Sequence, residues 1–364
     1  MHPTRRALLQ WMVLSSTTGL ALPARALPAR ALVFPRDHGA HPELRTEWWY
    51  ITGHAATSGD AREFGFQVTF FRSRVDGTQS MASAFAAKQL VFAHAAVTDL
   101  AGRRLLHDQR IAREGFGIAS ASREDGAIAL RDWSLVRTTT EAGRDRWQAR
   151  IRAQDFTLDL RFDASQPLLL QGQAGLSRKG PDEAQASYYY SQPQLAASGT
   201  LATLGAGGAS HAVQGRAWLD HEWSEALMHP DAVGWDWIGM NLEDGGALTA
   251  FRLRTQDGRT LWDGGSFRPA GGAAVIFRAG EVRFTPRRVW TSPTSNARYP
   301  VEWTVATPAG EFTVRSLLDD QELDSRGSTG AIYWEGLSDL LDASGRRVGR
   351  GYLEMTGYAS RLRL

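Results

Sequence analysis

The sequence predicts an all-β protein built from two similar antiparallel units in tandem, each a sandwich or a closed barrel. A tryptophan-rich strand pattern occurs twice, at residues 47–53 (EWWYITG) and at residues 234–239 (GWDWIG). Each copy is followed, after a glycine-containing turn, by an alternating strand that carries Phe and Arg near its end, at residues 64–72 and 248–254. Because one pattern is used twice, we expect two packed units with a seam between them.

The rest of the chain is also typical of strands separated by turns. Residues 155–162 alternate between apolar and polar side chains, and residues 89–99 form a further extended run. Turn signals such as Asp257-Gly258 recur at strand-sized spacing. Many short strands with such turns are typical of an antiparallel sandwich or barrel.

The composition limits the classes of function. The chain has 364 residues, 43% of them hydrophobic, which is enough for two cores of ordinary size. Its 41 basic residues are scattered and nearly balanced by 39 acidic ones, so we expect no nucleic-acid partner. The chain has no cysteine, which excludes disulfides, thiol nucleophiles and cysteine metal sites. No stretch beyond the first residues is apolar and long enough to be a transmembrane segment.

The first 31 residues are predicted to be a targeting segment. Two arginines at residues 5–6 precede a weakly apolar run at residues 11–22, which is typical of a twin-arginine export signal. Small-residue cleavage sites follow at residues 24–26 and 29–31. We therefore expect the mature protein to be periplasmic or secreted.

A composition change suggests where the two units meet. Residues 195–210 are rich in Ala, Gly, Ser and Thr, which indicates a linker or a long hairpin, or else a flexible surface loop. We place the boundary at this segment, with an N-terminal domain at residues 32–210 and a C-terminal domain at residues 211–364.

Residues 213–224 are predicted to form a strand whose alternate side chains point to opposite faces. One face carries Val213, Ala217, Leu219, His221 and Trp223, and the other carries Arg216, Trp218, Asp220 and Glu222. His221 therefore belongs either to a core, with its ring nitrogens hydrogen-bonded, or to the lining of a ligand cavity. Adjacent strand residues diverge, so Asp220, His221 and Glu222 cannot easily share one ion, and we predict no metal site and no cofactor.

The second tryptophan-rich strand contains a candidate acid. The alternation places Asp236 with Ile238 and Met240, and it places Trp235 and Trp237 on the opposite face. A carboxyl group on an apolar face has a raised pKa and can act as a general acid. The alternative is that Asp236 forms a structural ion pair with one of the many arginines.

Other kinds of site have weaker support. His94 lies with Leu90 and Phe92 on one strand face, and nothing beside it in sequence offers a partner, so we expect a structural histidine. No Gly-x-Ser-x-Gly elbow is present, which argues against a serine hydrolase of that type. The glycine-rich residues 205–208 do not lead from a strand into a helix, so they form no phosphate-binding loop.

Six stretches, several of them rich in tryptophan, carry a resemblance to a known family. They are residues 41–53, 92–99, 188–191, 218–223, 234–238 and 351–358. Through them the chain resembles the exported family that includes AttH, whose members are labelled predicted secreted hydrolases and are related to carotenoid 1,2-hydratases. The resemblance covers essentially the whole mature chain. It implies two tandem lipocalin-like antiparallel β-barrel domains packed together.

The hydratase branch of this resemblance implies a particular chemistry. That branch acts on an isolated double bond with a His-x-Trp pair, matched by His221 and Trp223, and with a downstream Tyr-x-Asp. An ungapped comparison places Leu248 and Ala250 at the second motif. Hydratase chemistry therefore requires another acid, and Asp236 and Glu222 are the candidates.

The residue types suit protonation of an alkene by a neutral carboxylic acid, stabilisation of the cation by an indole face, and activation of water by histidine or a carboxylate. The catalytic candidates are His221, Asp236, Glu222 and Asp220. The substrate-binding candidates are Trp223, Trp235, Trp237, Trp49, Tyr50 and Tyr189. We expect an apolar, isoprenoid or lipidic molecule at the domain seam, with hydration or isomerisation as the reaction and hydrolysis as the family label. The alternative is a non-catalytic lipid carrier that works with an ABC export system.

Overall fold

The computed structural model describes residues 26–59, 62–205 and 207–362. Strands dominate these residues, and the helices among them are two short 3-10 turns at Arg36–His38 and Asp76–Thr78. Within the described ranges no helix has the length and apolar character that crossing a bilayer requires. The predicted twin-arginine motif and its apolar run lie outside the described residues.

The first unit is one antiparallel sheet of thirteen strands. The strands are β1 (Thr46–Thr57), β2 (Glu63–Arg74), β3 (Gln89–Asp99), β4 (Arg104–Arg113), β5 (Ala119–Ala121), β6 (Ala127–Leu130), β7 (Trp133–Thr139), β8 (Asp145–Arg152), β9 (Phe156–Asp163), β10 (Leu169–Leu170), β11 (Leu176–Arg178), β12 (Ala186–Thr203) and β13 (Ser210–Ala226). Their main order is β4-β3-β2-β1-β13-β12-β9-β8-β7-β6-β5, with β10 and β11 beside β12. Strands β3 and β4 return against β5 and β6, so the sheet is a nearly closed barrel.

The second unit contains a ten-stranded antiparallel sheet and one small hairpin. Its strands are β14 (Gly234–Leu242), β15 (Ala247–Arg254), β16 (Thr260–Arg268), β17 (Val275–Phe277), β18 (Arg283–Pro286), β19 (Val289–Thr291), β20 (Arg298–Pro300), β21 (Glu302–Thr307), β22 (Gly310–Ser316), β23 (Glu322–Ser325), β24 (Ala331–Leu341) and β25 (Arg347–Met355). The order is β17-β16-β15-β14-β25-β24-β22-β21-β18, with β23 beside β24 and with β19 and β20 as the separate hairpin.

The predicted repeat is present in the topology. In the first unit the tryptophan-rich strand β1 lies between β2 and the last long strand, β13. In the second unit the tryptophan-rich strand β14 lies between β15 and the last strand, β25. The same neighbour relations therefore occur twice, and the prediction of an all-β fold with two lipocalin-like units is confirmed.

The change from one sheet to the other lies later in the chain than the predicted boundary at residues 210 and 211. Strand β13 pairs with both β1 and β12, so it belongs to the first sheet. The segment at residues 195–210 is the long hairpin between β12 and β13, one of the two alternatives for it. The second sheet begins at Gly234, after the connection that follows β13.

The strands at the centre of each sheet are buried on both faces. In the first unit Trp49 and Ile51 point into the barrel core, whereas Tyr50 and Trp218 belong to an apolar cluster at the seam with the second unit. Gly65 on β2 permits the close approach there, because a Cβ atom at this position would lie 2.8 Å from the hydroxyl oxygen of Tyr352. Successive residues of these strands therefore enter two different compartments.

Each tryptophan-rich strand carries an acid that is paired across the sheet with an arginine of the next strand. Glu47 lies opposite Arg72, with Arg72 Nε 2.8 Å from Glu47 Oε2. Asp236 lies opposite Arg252, with Arg252 Nε 2.7 Å from Asp236 Oδ2, and Arg254 Nε is 3.1 Å from the same oxygen. Both acids are fully buried, so these ion pairs are equivalent internal features of the two units.

We predict that Arg72→Met lowers the free energy of unfolding by about 3–5 kcal/mol, because it leaves the buried Glu47 carboxylate without its cation. Urea denaturation followed by far-UV circular dichroism measures this change. Arg259→Met is the matched control, because it removes an ion pair with Asp257 whose arginine is 81% exposed, and we expect no measurable effect. Equal stability of the two variants would contradict the role assigned to the buried pair.

Candidate active site at the seam

A cavity of about 300 Å³ lies between the two units, and we call it the seam cavity. Its walls come from β1, β2, β3, β4, β12 and β13 of the first unit and from β14, β15, β24 and β25 of the second. The buried polar residues that form its floor are Asp220, Glu222, Lys179, Tyr189 and Glu335. An apolar mouth is formed by the half-buried Phe71, Leu90 and Phe92 and by the exposed Ile111.

Asp220 is a buried carboxyl group with three donors. The hydroxyl of Tyr189 donates to Oδ2 at 2.7 Å, the hydroxyl of Ser191 donates to Oδ1 at 2.5 Å, and the indole Nε1 of Trp218 donates to Oδ1 at 2.7 Å. Burial raises the pKa of Asp220 to about 7, although these hydrogen bonds oppose the shift. The group can therefore gain or lose a proton near neutral pH.

Glu222 is the carboxylate of the cavity that has a cation of its own. Lys179 Nζ lies 2.9 Å from Glu222 Oε1, and the hydroxyl of Ser187 donates to the same oxygen. The Lys179 ammonium also lies 4.6 Å from the ring centroid of Tyr189 and 4.3 Å from that of Phe251. Lys179 is thus held between aromatic faces and a carboxylate, an arrangement that stabilises its charge in an apolar setting.

Two further carboxyl groups, Glu335 on β24 and Glu354 on β25, are direct neighbours across the sheet. Both line the cavity. Burial and the adjacent Glu354 raise the pKa of Glu335 well above its usual value. Burial raises the pKa of Glu354 to about 7, and the charges of Asp220 and Glu222 add to this shift. Because like charges in one buried site cannot both ionise cheaply, the pair holds a proton near neutral pH.

Polar atoms in the cavity are open to a ligand. The Tyr50 hydroxyl and the Glu335 carboxyl group are buried neighbours, and neither the hydroxyl nor Glu335 Oε1 makes a hydrogen bond of good geometry to a described residue. Buried polar groups usually have a partner, so such atoms in a cavity are suited to meet a ligand or a water molecule.

His94 is a buried residue of the cavity wall with both ring nitrogens occupied. Its Nε2 lies 2.8 Å from the hydroxyl of Ser328, which itself donates to Gln109 Oε1, and its Nδ1 lies 2.9 Å from the hydroxyl of Tyr333. These contacts assign the proton to Nε2 and let Tyr333 donate to Nδ1. Burial lowers the pKa of His94 to about 3, so the ring is neutral and positions Tyr333. The expected structural role is thus combined with a place in the cavity.

The structure brings together six of the ten predicted site residues, which line the seam cavity. They are Asp220, Glu222, Tyr50, Tyr189, Trp235 and Trp237. The remaining four lie in the barrel interiors. His221, Trp223 and Trp49 point into the first unit, and Asp236 points into the second. The structure therefore does not bring Asp236 to His221, because their strands belong to different sheets and each residue faces its own core.

His221 belongs to a buried hydrogen-bonded network. Its Nε2 lies 3.0 Å from Glu47 Oε1 and its Nδ1 lies 3.2 Å from the Tyr190 hydroxyl. Burial lowers the pKa of His221 to about 4. Burial alone would raise the pKa of Glu47. Hydrogen bonds from His221 and His41, together with the charge of Arg72, instead hold this pKa far below its usual value. The side-chain donor atoms of His41, Glu47 and His221 all lie within 4.8 Å of one another, close enough to hold a metal ion. Hydrogen bonds and the Arg72 ion pair satisfy the same atoms.

The same interior explains the positions of two predicted substrate-binding tryptophans. Trp223 is stacked on His41, with ring centroids 4.0 Å apart, and Trp49 is stacked on His221 at 4.7 Å. Trp49 Nε1 donates to the carbonyl oxygen of His38 at 2.9 Å. Both indoles are fully buried, and their neighbours are side chains of the protein itself.

Three charged residues of the cavity, Lys179, Glu335 and Glu354, are not among the residues predicted from the sequence. Glu354 lies within one of the stretches that carry the family resemblance, which is a signal for it. Glu335 follows Tyr333 and Trp334 in a strand, which is the type of aromatic context that drew attention to Asp236. Their proximity could not be read from the chain, because it depends on the register of β24 and β25.

This protein is a two-unit, lipocalin-like β protein with a carboxyl-lined cavity at the seam between its units. A model of the AttH-like family matches residues 25–358. The chain therefore belongs to the AttH-like family. None of the curated proteins is significantly similar in sequence.

Solved structures agree with the fold. A Nitrosomonas europaea protein assigned to AttH is 45% identical, with a TM-score of 0.83 over 92% of this chain and 99% of that one. Kievitone hydratase from Nectria haematococca has a TM-score of 0.68 at 15% identity, over 91% of this chain and 94% of that one. CghA, solved with Sch210972, has a TM-score of 0.53 at 13% identity, over 86% and 88% of the two chains. The last two show a shared fold.

We predict that Asp220→Asn changes the pH dependence of stability. The folded-state pKa of Asp220 is raised, so the native protein loses stability as pH rises from about 4 to about 7, whereas asparagine stays neutral. The unfolding free energy of Asp220→Asn minus that of the native protein should thus rise by about 4 kcal/mol across this window and be constant above it. Urea unfolding at a series of pH values measures the difference. A difference that does not vary with pH would contradict the raised pKa.

Proposed function

We propose that the protein is a hydratase-like enzyme that binds an apolar, isoprenoid or lipidic molecule in the seam cavity and performs acid-base chemistry on a double bond of that molecule. Membership of the AttH-like family and a fold shared with kievitone hydratase support this class of activity. We also propose a periplasmic or secreted location, which rests on the twin-arginine pattern of residues 1–31.

The observation that carries the proposal is the pair formed by Glu335 and Glu354. The pair supplies a protonated acid and an ionised base in one place, since one proton is shared between two buried carboxyl groups of raised pKa. Glu335 lines the cavity beside the Tyr50 hydroxyl, so its carboxyl group is within reach of a ligand held there. Because Asp236 is ion-paired in the other compartment, the pair takes the acid role for which Asp236 was a candidate.

Hydration can proceed in balanced steps with these groups. Glu335 donates its proton to one carbon of the double bond, which leaves a cation at the other carbon. Water forms a bond to that carbon through its oxygen and loses a proton to Glu354. Transfer of this proton from Glu354 to its neighbour Glu335 restores the starting state. Isomerisation uses the same first step, followed by loss of a proton from a carbon adjacent to the cation.

The aromatic residues of the cavity stabilise the intermediate in this scheme. Trp235, Trp237 and Tyr50 line the cavity together with Phe251, and a cation over such a ring face is attracted to it. Trp237 and Tyr50 are edge-to-face at 5.4 Å, so their orientations are set before a ligand binds. The floor residues are buried, which limits the access of bulk water and so protects the cation from uncontrolled capture.

A non-catalytic lipid carrier, acting with an ABC export system, is the second candidate. The apolar mouth of Phe71, Leu90, Phe92 and Ile111 favours it, because a carrier needs affinity for an apolar molecule and no acid. The two candidates differ in what the Glu335 and Glu354 pair does. The enzyme needs the proton of the pair, and the carrier does not.

We predict that Glu335→Gln lowers turnover of the bound molecule by at least about 100-fold and leaves its affinity within a few-fold, because the amide fills the same space but donates no proton to carbon. Native mass spectrometry of protein from its own cells first identifies a co-purified apolar molecule. Incubation of that molecule with protein in H₂¹⁸O then measures incorporation of the label. Glu243→Gln is the matched control, since Glu243 is a surface carboxylate outside the cavity, and it should retain full activity.

The results separate the two candidates. Label incorporation or double-bond migration by the native protein, lost in Glu335→Gln, supports the enzyme. Binding by both proteins with no reaction in either supports the carrier and rejects the enzyme. Equal activity of Glu335→Gln and the native protein rejects the assigned acid while retaining an enzymatic function.

A further inference from the structure

The mouth of the seam cavity is joined to an exposed apolar patch on the first unit. We define the mouth patch as Met81, Phe85, Phe116 and Ile118, which are 49%, 75%, 56% and 40% exposed. Met81 and Phe85 belong to the connection between β2 and β3, and Phe116 and Ile118 belong to the connection between β4 and β5. Exposed large apolar residues grouped in this way usually mark an interaction site.

The mouth patch is organised around one arginine. The guanidinium carbon of Arg113 lies 4.0 Å from the ring centroid of Phe116 and 5.6 Å from that of Phe85. Arg113 Nη1 donates to the carbonyl oxygen of Phe85 at 2.7 Å, and the two rings are stacked with centroids 5.6 Å apart. Two aromatic side chains from separate loops are thus held side by side and exposed to solvent.

The register of three strands connects the patch with the cavity. Phe71 on β2, Phe92 on β3 and Ile111 on β4 are directly paired, and all three line the cavity mouth. In the next row outward along the same strands, Leu90 is paired with Arg113, which contacts Phe85 and Phe116. Paired residues share a face of the sheet, so the two rings held by Arg113 lie one row outward from the apolar mouth of the cavity.

The charges beside the patch are basic. Lys88 lies three residues after Phe85, Arg113 contacts both rings, and the amide of Arg131 donates to the carbonyl oxygen of Ile118 at 2.7 Å. The acids next to the patch are Asp76, which is ion-paired with Arg74 at 2.7 Å, and Glu114, which is half-buried and accepts a hydrogen bond from the amide of Ala121. An anionic surface is therefore the complement of this face.

We propose that the mouth patch is a docking site for the surface of a lipid bilayer that carries anionic headgroups. Phe85, Phe116 and Met81 enter the boundary between headgroups and acyl chains, and Arg113 and Lys88 remain at the level of the phosphates. Short aromatic insertion with basic flanks gives reversible attachment to the membrane surface. Docking in this orientation places the apolar mouth of the seam cavity against the membrane, which is a direct source of apolar molecules. The docking itself does not depend on the proposed chemistry.

Vesicle sedimentation with the mature chain tests the proposal. We expect the native protein to sediment with vesicles of phosphatidylglycerol and phosphatidylethanolamine, to sediment weakly with phosphatidylcholine vesicles, and to be released by salt. The double variant Phe85→Ser and Phe116→Ser should reduce the bound fraction at least about 10-fold. The matched control is Val275→Ser with Val289→Ser, which removes apolar residues that are 54% and 41% exposed on the second unit and should bind like the native protein.

A fluorescent label gives a second measurement that does not require removal of the phenylalanines. The chain has no cysteine, so Ala84→Cys provides one reactive site beside Phe85, and Ala273→Cys provides an exposed site on the second unit. An environment-sensitive dye at residue 84 should shift to shorter wavelength with anionic vesicles, and the same dye at residue 273 should not. No binding by the native protein, equal shifts at both sites, or self-association that is lost in the double variant without vesicle binding would each overturn the proposal.

Discussion

The organisation of this protein depends on one constraint, which is that its central strands are buried on both faces. Because side chains alternate along a strand, β1, β13 and β14 each supply two compartments at once: the interior of a barrel and the seam between the units. The two compartments differ in whether their buried acids are ion-paired. In the interiors, Glu47 and Asp236 are neutralised by arginines directly across the sheet. At the seam, no described arginine or lysine is ion-paired with Asp220, Glu335 or Glu354, and their pKa values are raised.

This difference separates residues that stabilise the fold from residues that can do chemistry. A buried carboxylate that is paired with a fixed arginine stabilises the fold through that ion pair, whereas a buried carboxyl group beside another one can gain or lose a proton near neutral pH. Holding several acids in one apolar cavity costs stability, and the surrounding sheets and the apolar cluster at the seam supply the free energy that keeps them there. The cavity therefore holds carboxyl groups that can exchange protons, whereas the charged groups in the barrel interiors are ion-paired with each other.

Much of this arrangement could be predicted from the chain, and its limits have physical causes. Alternation correctly separated His221 and Trp223 from Asp220 and Glu222, because a two-residue period depends on local backbone geometry alone. It could not tell which face meets the barrel core and which meets the second unit, so His221 and Asp236 were candidates for one shared site. The pairing of Glu335 with Glu354 depends on the register of two strands, which no local pattern reveals. The predicted boundary at residues 210 and 211 falls within the β12–β13 hairpin of the first sheet, because a composition rich in small residues is as typical of a hairpin as of a linker.

The shared use of β13 also limits how this family can diversify. Deleting or inserting one residue before Asp220 would exchange the occupants of the two compartments, sending an acid into the barrel beside Glu47 and a histidine into the cavity. Lineages that retain the fold should therefore change the cavity by replacing side chains in place, at every second position of the strand. Length variation should be confined to the connections between strands, where neither compartment is disturbed.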